Sequence, residues 1–516
     1  MNDNKTSKNS IVAKFAVPIS FLILFFLAAN FTDCDLVTFW KRRNHLTDLV
    51  VDMIPPDFSY IQKILLPLFY TIQMSVTGTV LGYLFALVLS PFGAANLGFP
   101  AVIRRILRIV IQILRSFPAL ILALTATFLF GLGTFAGTFA ITLYTFAIMT
   151  KLTYEDASAA DVKAYQALRA MGVSKYVAYI HGILPEIIPG FLTNALYLLE
   201  TNVRHSSILG YVGAGGIGLL LNEKISWLEY DKVGTILLML FLTVCVIEYF
   251  SRYLAALIRK ERTIKKEQAR LLLLFLAALF LICTFTLSLP DFSRTSPQTL
   301  RNMFAGFLQP DWSFFFSAEK DGLGYLLLET VCIAFIGTVI GAIVSAPLAF
   351  LNTKRFVPAP VSFLFNLVIM VIRSVPFLVY GLIFIRVSGP GAFTGVLTLA
   401  VCSIGLLTKR FTEALDALDP RPYHALLAMG VRPLPAICHS VLPQLKPVFT
   451  SIILYRFDVN IREASVLGLV GAGGIGAPLI FSMNQYAWEK AGAIMLGLIL
   501  FVWFIDMVSE KIGAGN

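Results

Sequence analysis

Charged residues are scarce in this 516-residue chain: Asp, Glu, Lys and Arg together make up 14% of it, whereas 57% of the residues are hydrophobic. The mean hydropathy is +0.79. A soluble chain of this length would carry far more charge. Apolar runs long enough to cross a bilayer, which takes about 20 residues, recur along the whole chain. The composition therefore excludes a soluble protein and predicts an all-α integral membrane protein.

The chain also lacks the residue patterns of several kinds of active site. None of the six cysteines belongs to a CxxC pair, and the five histidines show no metal-ligand spacing. No GxxxxGK[ST] sequence occurs, so this chain has no P-loop with which to hydrolyse ATP. No nucleophile or pair of acids at a membrane interface indicates a membrane enzyme. We therefore expect no metal, no cofactor and no covalent chemistry in this chain.

The positive charge is spread along the chain. The net charge is +11, and the basic residues form short clusters between apolar runs, for example at 104–108 and 259–270. This distribution follows the positive-inside rule, by which cytoplasmic Lys and Arg orient membrane helices. A nucleic-acid-binding protein gathers its basic residues into one patch instead. We expect contact with membrane lipid and none with nucleic acid.

The most informative feature is an internal duplication with an offset of 258 residues. RSFP at 115–118 returns as RSVP at 373–376, and YQALRAMGV from 165 returns as YHALLAMGV from 423. VGAGGIG from 212 is repeated letter for letter from 470. The chain therefore consists of two homologous halves.

Each half contains about six apolar segments. Those of the first half lie at 11–30, 62–90, 101–131, 133–150, 187–210 and 232–258, and those of the second at 271–289, 323–351, 357–387, 389–407, 445–468 and 489–512. An even number of helices returns the chain to the side on which it entered. The sequence thus predicts about 12 transmembrane helices in two parallel, pseudosymmetric six-helix halves, related by an axis along the membrane normal.

We divide the chain into a first half, 1–258, a basic linker, 259–270, and a second half, 271–516. The positive-inside rule places the linker and both termini in the cytoplasm. The basic run at 41–43 is a misfit, because this topology places it outside. The first apolar run follows lysines, as a signal peptide would, but its counterpart lies mid-chain, so we interpret it as a retained transmembrane helix.

Two polar segments, about 151–186 and 408–444, lie between the fourth and fifth helices of the halves and are cytoplasmic by alternation. In each, a helical stretch ends at a glycine that can adopt a left-handed conformation, and a second one runs to a Leu-Pro pair that prevents one continuous rod. The pattern predicts a short helix held sideways against a partner. An ordinary connecting loop is the alternative. The marking residues are Gly172, Leu184 and Pro185, and Gly430, Leu442 and Pro443.

These segments resemble the coupling loop of ABC importer permeases. In that family the loop docks in a groove of the ATPase, so the resemblance implies a dimeric ATPase that holds ATP and Mg²⁺ on the cytoplasmic side. The sequence departs from the family at the loop's leading glutamate, where Gln166 and His424 stand. The implied coupling residues are Gln166, Ala167, Gly172, Leu184, Pro185, His424, Ala425, Gly430, Leu442 and Pro443.

The stretches ETNVRHSSILGYVGAGGIG and DVNIREASVLGLVGAGGIG resemble phosphonate transporter permeases of the PhnE type, as do RSFP, RSVP, PPDFS and QPDWS. The resemblance covers nearly the whole chain twice. It implies two fused permeases of a type I importer in a bacterial cytoplasmic (inner) membrane. A periplasmic or extracellular binding protein would deliver phosphonate or a related phosphorus oxyanion for inward transport. A fused permease for ferric iron or an amino acid, and a secondary transporter, remain alternatives.

Arginines recur inside the predicted membrane helices, where charge is costly and indicates function. They lie in the third helix of each half, before a proline, and in the fifth. Guanidinium groups suit oxyanions, so four arginines can form an anion path. Structural roles are the alternative: each fifth-helix arginine follows an acid by four residues, and the serines can bond to backbone. The candidate pathway residues are Arg115, Ser116, Arg373, Ser374, Asn202, Arg204, Asn460 and Arg462.

The repeated GAGGIG satisfies the spacing of the dinucleotide-binding fingerprint GxGxxG. That motif needs a preceding strand and a βαβ unit, whereas here it follows a membrane helix in both halves. We expect a site of close helix packing or a flexible turn on the outer side.

Overall fold

The computed structural model describes residues 19–514, except 260–264, 289, 291–296, 318 and 320–321. The middle of the linker, 260–264, therefore lies outside the described residues. Helices are the only regular secondary structure in the described part of the chain. The helices up to the linker are α1 (Ile19–Phe31), α2 (Leu36–Asp52), α3 (Ile61–Gly93), α4 (Ala101–Ser116), α5 (Ala119–Phe130), α6 (Thr134–Ala159), α7 (Lys163–Ala170), α8 (Lys175–Gly182), α9 (Leu184–Leu209), α10 (Ile217–Ser226) and α11 (Tyr230–Ile258).

The helices after the linker repeat this order. They are α12 (Lys266–Phe285), α13 (Pro297–Leu308), α14 (Trp312–Phe315), α15 (Leu323–Asn352), α16 (Ala359–Ser374), α17 (Phe377–Ser388), α18 (Ala392–Ala417), α19 (Arg421–Ala428), α20 (Pro433–Ala436), α21 (Leu442–Leu467), α22 (Gly476–Asn484) and α23 (Trp488–Ala514). Eight helices of the described chain are long and apolar enough to cross a membrane, and eleven spans result if each sharply bent pair counts as one. The prediction of an all-α integral membrane protein is confirmed.

The third span of each half is broken, although the sequence predicted continuous helices over 101–131 and 357–387. α4 and α5 meet at 95°, and α16 and α17 at 87°. The breaks fall at RSFP and RSVP because Pro118 and Pro376 have no N–H to donate and their rings clash with the preceding turn. Arg115 and Arg373 consequently lie in the last turn of a helix that ends within the span.

Small residues bring the second and fourth spans of each half close together. A Cβ atom on Gly78 or Gly82 of α3 would lie 2.8 Å or 2.7 Å from the side chains of Ile141 or Thr145 of α6. In the second half, Gly341 of α15 is packed in the same way against Ser403 of α18. Since no side chain fits at these glycines, the backbones approach as they do in small-residue membrane interfaces.

The described chain forms two compact units that exchange their first helices. One unit consists of residues 49–305 and 374–376, and the other of residues 19–48, 306–373 and 377–514. In the first unit α12 packs on α3, where the Gln73 amide donates to the Cys283 carbonyl oxygen at 3.0 Å. In the second unit α1 packs on α15, with the Phe31 and Tyr325 ring centroids 4.9 Å apart. The first span of each repeat thus belongs to the unit built on the other repeat.

Candidate coupling and translocation sites

The first predicted coupling segment forms two short helices, α7 and α8, joined at Gly172. Gly172 has φ +84°, the left-handed conformation expected of a glycine that ends a helix. The buried Tyr165 hydroxyl donates to the Leu97 carbonyl oxygen at 2.6 Å, and Tyr179 and Ile183 pack in the same apolar cluster. These contacts fix the segment to the end of the membrane helices. α8 then meets α9 at 69°, where Leu184 begins the next span.

The second coupling segment has a left-handed glycine at the corresponding position, but its connection to the following span is different. Gly430 has φ +81°. Residues 437–441 form a π-helical turn, and the chain continues from 433 to 470 without a sharp bend. In the first half Gly182 touches the Tyr165 backbone, where a Cβ atom would lie 2.8 Å from the amide nitrogen. The corresponding residue of the second half is Ser440, whose side chain excludes a glycine-like approach to the backbone at this position.

The coupling residues predicted from the sequence are mostly on the surface. Those at the start of the short helices and at the glycines are exposed, as are both prolines, whereas Leu184 is half-buried. Met171 and Met429, each immediately before the glycine, are 70% exposed. The surface therefore presents the same flexible apolar side chain beside a left-handed glycine in both halves. The exposed set is Gln166, Ala167, Gly172, Pro185, His424, Ala425, Gly430, Leu442 and Pro443.

The third-span arginines lie beside buried serines. Ser116 is 2% exposed, and its hydroxyl donates to the Gln112 carbonyl oxygen at 2.9 Å, which is the backbone bond that the sequence left open as an alternative. Ser374 is 3% exposed. The arginine side chains are half-buried, and that of Arg373 packs against Gly405 of α18. Because the C-terminal turn of a helix carries partial negative charge, a guanidinium there is stabilised.

The fifth-span arginines are each paired with an acid on their own helix. Arg204 Nη2 lies 3.0 Å from Glu200 Oε1, and Arg462 pairs with Asp458 in the same manner. The i, i+4 spacing thus produces the intrahelical ion pairs that the structural alternative required.

The two fifth-span asparagines are fully buried in helix packing. Asn202 donates to Thr79 Oγ1 at 2.8 Å and to Thr145 Oγ1 at 2.7 Å, which lie on α3 and α6. Asn460 donates in the same way to the hydroxyls of Thr338 and Ser403, on α15 and α18. Each asparagine therefore clamps three helices of its half together.

A buried ion pair in the second half was missed by the sequence reasoning. Arg456 Nη2 lies 2.8 Å from Glu463 Oε2, and the two side chains are 5% and 17% exposed. Charges that both halves share stand out in a duplicated sequence, whereas this pair has no counterpart in the first half. Leu198 and His205 stand at the corresponding positions. The sequence feature that could have revealed the pair is Arg456 itself, a charged residue inside an apolar segment.

A second cluster of charges lies outside the spans of the first half. Lys224 is 6% exposed, and its Nζ lies 2.8 Å from Glu229 Oε2 and 3.0 Å from Glu223 Oε1. The hydrogen bond from Lys224 holds the pKa of Glu229 below its usual value, and the bond to Glu229 raises the pKa of Lys224. Both groups therefore stay charged at neutral pH. The corresponding residues of the second half are uncharged.

The glycine-rich loops are ordered turns that start α10 and α22. Gly213, Gly215 and Gly216 all have φ between +78° and +80°. The Ile217 amide donates to the Thr71 hydroxyl of α3 at 2.8 Å, and the equivalent bond joins the second loop to α15. These contacts fit the close-packing interpretation. Among the described residues no group of His, Cys, Asp or Glu is placed to hold a metal ion.

The architecture and these sites define the class of the protein: it is a duplicated membrane permease, with a pair of short surface helices in each half. The chain belongs to the family of binding-protein-dependent transport system inner membrane components, whose sequence model matches residues 78–263 and 337–512. It is therefore the multi-pass transport subunit of an ABC importer, with two permease halves in one chain.

Curated relatives of this chain match it over long stretches. It is 27% identical to the phosphate-import permease protein PhnE of Mycolicibacterium smegmatis over 474 residues, which are 90% of this chain and 88% of that one. It is 36% identical to the phosphite transport system permease protein PtxC of Stutzerimonas stutzeri over 36% of this chain and 67% of that one. It is 37% identical to the putative cryptic phosphonate transport system permease protein PhnE2 of Escherichia coli over 23% of this chain and 96% of that one.

Proposed function

We propose that this chain moves phosphonate or a related phosphorus oxyanion inward across the bacterial cytoplasmic membrane. The names of its relatives refer to phosphate, phosphite and phosphonate. The observation that carries the proposal is the arginine at the break of the third span in each half. Transporters commonly place their cargo sites where membrane helices are broken.

The proposal gives the candidate pathway residues different roles. Arg115 and Arg373 are the primary oxyanion ligands in this proposal, because both halves place an arginine in the last turn of a helix that ends within the span. Arg204 and Arg462 are each neutralised by an acid on the same helix. In this proposal they therefore orient the anion more than they attract it. The serines at the breaks and the buried asparagines Asn202 and Asn460 position these arginines by holding the helices.

Uptake into proteoliposomes tests the proposal. The permease would be reconstituted with its ATPase and binding protein, and uptake of radiolabelled phosphate, phosphite and methylphosphonate measured. Arg115→Gln and Arg373→Gln should abolish uptake, and Lys should rescue only partly because ammonium lacks the bidentate fork. Arg105→Gln, the same change on an exposed arginine of α4, is the matched control. Uptake of an amino acid or of ferric iron in place of all three anions would establish the alternative cargo.

The proposal includes two partners. A dimeric ATPase, which holds ATP and Mg²⁺, docks on the coupling segments 151–186 and 408–444, and a phosphonate-type binding protein docks on the opposite side. The exposed methionines beside Gly172 and Gly430 support this docking, because flexible apolar side chains adapt to a groove. Co-purification of the ATPase with the wild type, and its loss with Met171→Asp and Met429→Asp together, would support the assignment. A complex that survives both changes would refute it.

The proposed orientation places both termini and the linker 259–270 in the cytoplasm, between halves 1–258 and 271–516. Single cysteines at Arg259 and Asp311, in a chain without native cysteines, test it in intact cells. An impermeant thiol reagent should label position 311 and not position 259. The opposite labelling would invert the topology and put the coupling segments on the outer side.

A further inference from the structure

The Arg456–Glu463 pair lies in the second half of α21, inside a membrane-spanning helix. The guanidinium faces the carboxylate with both terminal nitrogens, Nη2 at 2.8 Å from Oε2 and Nη1 at 3.4 Å from Oε1. Its Nε donates to Ser403 Oγ of α18 at 3.2 Å. A buried pair of this kind is expensive to desolvate and is weak evidence for a stabilising role.

The first half is an internal control for that role. Leu198 and His205 replace the charged pair there, yet α9 packs on its neighbours through the same clamp that holds α21. Asn202 bonds to Thr145 in the first half just as Asn460 bonds to Ser403 in the second. The packing of this span therefore does not require the ion pair, and its presence in one half needs a different explanation.

The Arg456 guanidinium is arranged as in an oxyanion site, with the Glu463 carboxylate in the place of the anion. Two terminal nitrogens facing two oxygens form the fork that guanidinium offers to carboxylate, phosphate and phosphonate alike. The remaining Nε is fixed by Ser403, which Asn460 holds in turn at 2.9 Å. The Glu463 side chain is the more exposed partner, so it is the one that can leave without moving the arginine.

We propose that Arg456 binds the transported oxyanion, and that Glu463 occupies its guanidinium until the anion displaces it. The proposal rests on the function proposed above. Glu463 thereby acts as an internal competitor: it neutralises the arginine in the empty permease and keeps cargo binding weak enough for release. Ser403 and Asn460 are positioning residues for the guanidinium fork.

Two variants test this proposal in the complete complex with ATPase and binding protein. Arg456→Leu with Glu463→His installs the residues that the first half already accepts, so the protein should assemble in normal yield. Uptake of radiolabelled phosphate and methylphosphonate should nevertheless fall by about tenfold or more, because the charged fork is gone. His205→Gln, at the position in the first half that corresponds to Glu463, is the control and should leave uptake within about twofold, because it replaces one half-buried polar side chain with another and removes no guanidinium.

Glu463→Gln tests the proposal independently, because a purely structural role of the pair predicts no change in the affinity for the anion. It keeps the arginine and weakens its competitor, so direct binding of radiolabelled phosphate to the purified complex should tighten about fivefold, since neutral hydrogen bonds are weaker than charge-assisted ones. Unchanged uptake in the double variant, or unchanged binding in Glu463→Gln, would overturn the proposal. A wild type that takes up neither anion would refute the proposed function instead, so the two failures are distinguishable.

Discussion

The coupling glycines allow a test of backbone strain separately from contact. Gly172 and Gly430 have φ of +84° and +81°, and no atom lies within 4 Å of the position that a Cβ would occupy at either residue. Alanine therefore meets no clash in this chain, and its cost is the left-handed strain alone, about 1–2 kcal/mol. Asparagine tolerates the left-handed conformation better and removes most of that cost.

The assay is ATP hydrolysis by the assembled complex, stimulated by cargo-loaded binding protein. If the glycines serve only the turn, Gly172→Ala and Gly430→Ala should each lower stimulation by about 5- to 30-fold, which is what 1–2 kcal/mol amounts to, and asparagine should restore it. If the ATPase touches the glycine itself, asparagine will not restore stimulation, because any side chain blocks the approach.

A matched control separates these effects from a general loss of stability. Gly389, in the turn between α17 and α18, has φ +83° and also has open space around it. Gly389→Ala imposes at least the same strain, since a proline follows, but it lies outside the coupling segments. After normalisation to the amount of folded protein, the stimulated ATP hydrolysis of Gly389→Ala should stay near that of the wild type. Wild-type stimulation in both coupling variants would refute the reasoning.

Three further changes test the packing by thermal unfolding of purified protein in detergent. Gly341→Val should destabilise by about 1–3 kcal/mol, because a branched side chain is forced against Ser403; an unchanged midpoint would mean that α15 and α18 separate freely. Asn202→Leu removes two buried hydrogen bonds and should cost about 1–2 kcal/mol, whereas a more stable variant would contradict the clamp. Asp311→Ala removes the cap that accepts from Ser313 N at 3.0 Å, and it should cost about 1 kcal/mol, with no change expected for Glu319→Gln nearby.

Features of the fold that arise from local sequence were predictable. Apolar runs had to become helices, because a bilayer leaves backbone groups no other partner. A glycine followed by a Leu-Pro pair predicted the two short coupling helices, and Gly172 and Gly430 do take the left-handed conformation. The i, i+4 spacing of Arg204 and Arg462 with their acids produced the ion pairs that helical geometry permits.

Other features needed information from residues far apart in the chain. The prolines of RSFP and RSVP indicated freed backbone groups, but whether a proline kinks a helix or breaks it by 95° depends on what packs around the gap. The close approach of Gly182 to the Tyr165 backbone is such a feature, because it joins residues of two different helices that no local pattern pairs.

The sequence by itself determined a duplicated, helical membrane permease, because composition, repeat and spacing act locally and are each written twice. Tertiary structure alone decided that α1 and α12 pack with the opposite repeats, since an apolar helix carries no local signal for which apolar surface it will cover. Tertiary structure also decided that Arg456 and Glu463 form a buried ion pair. Seven residues, about two helical turns, separate the two on one face of α21, and the packing of α18 against that face, with Ser403 on Arg456 Nε, decides that the charges are buried.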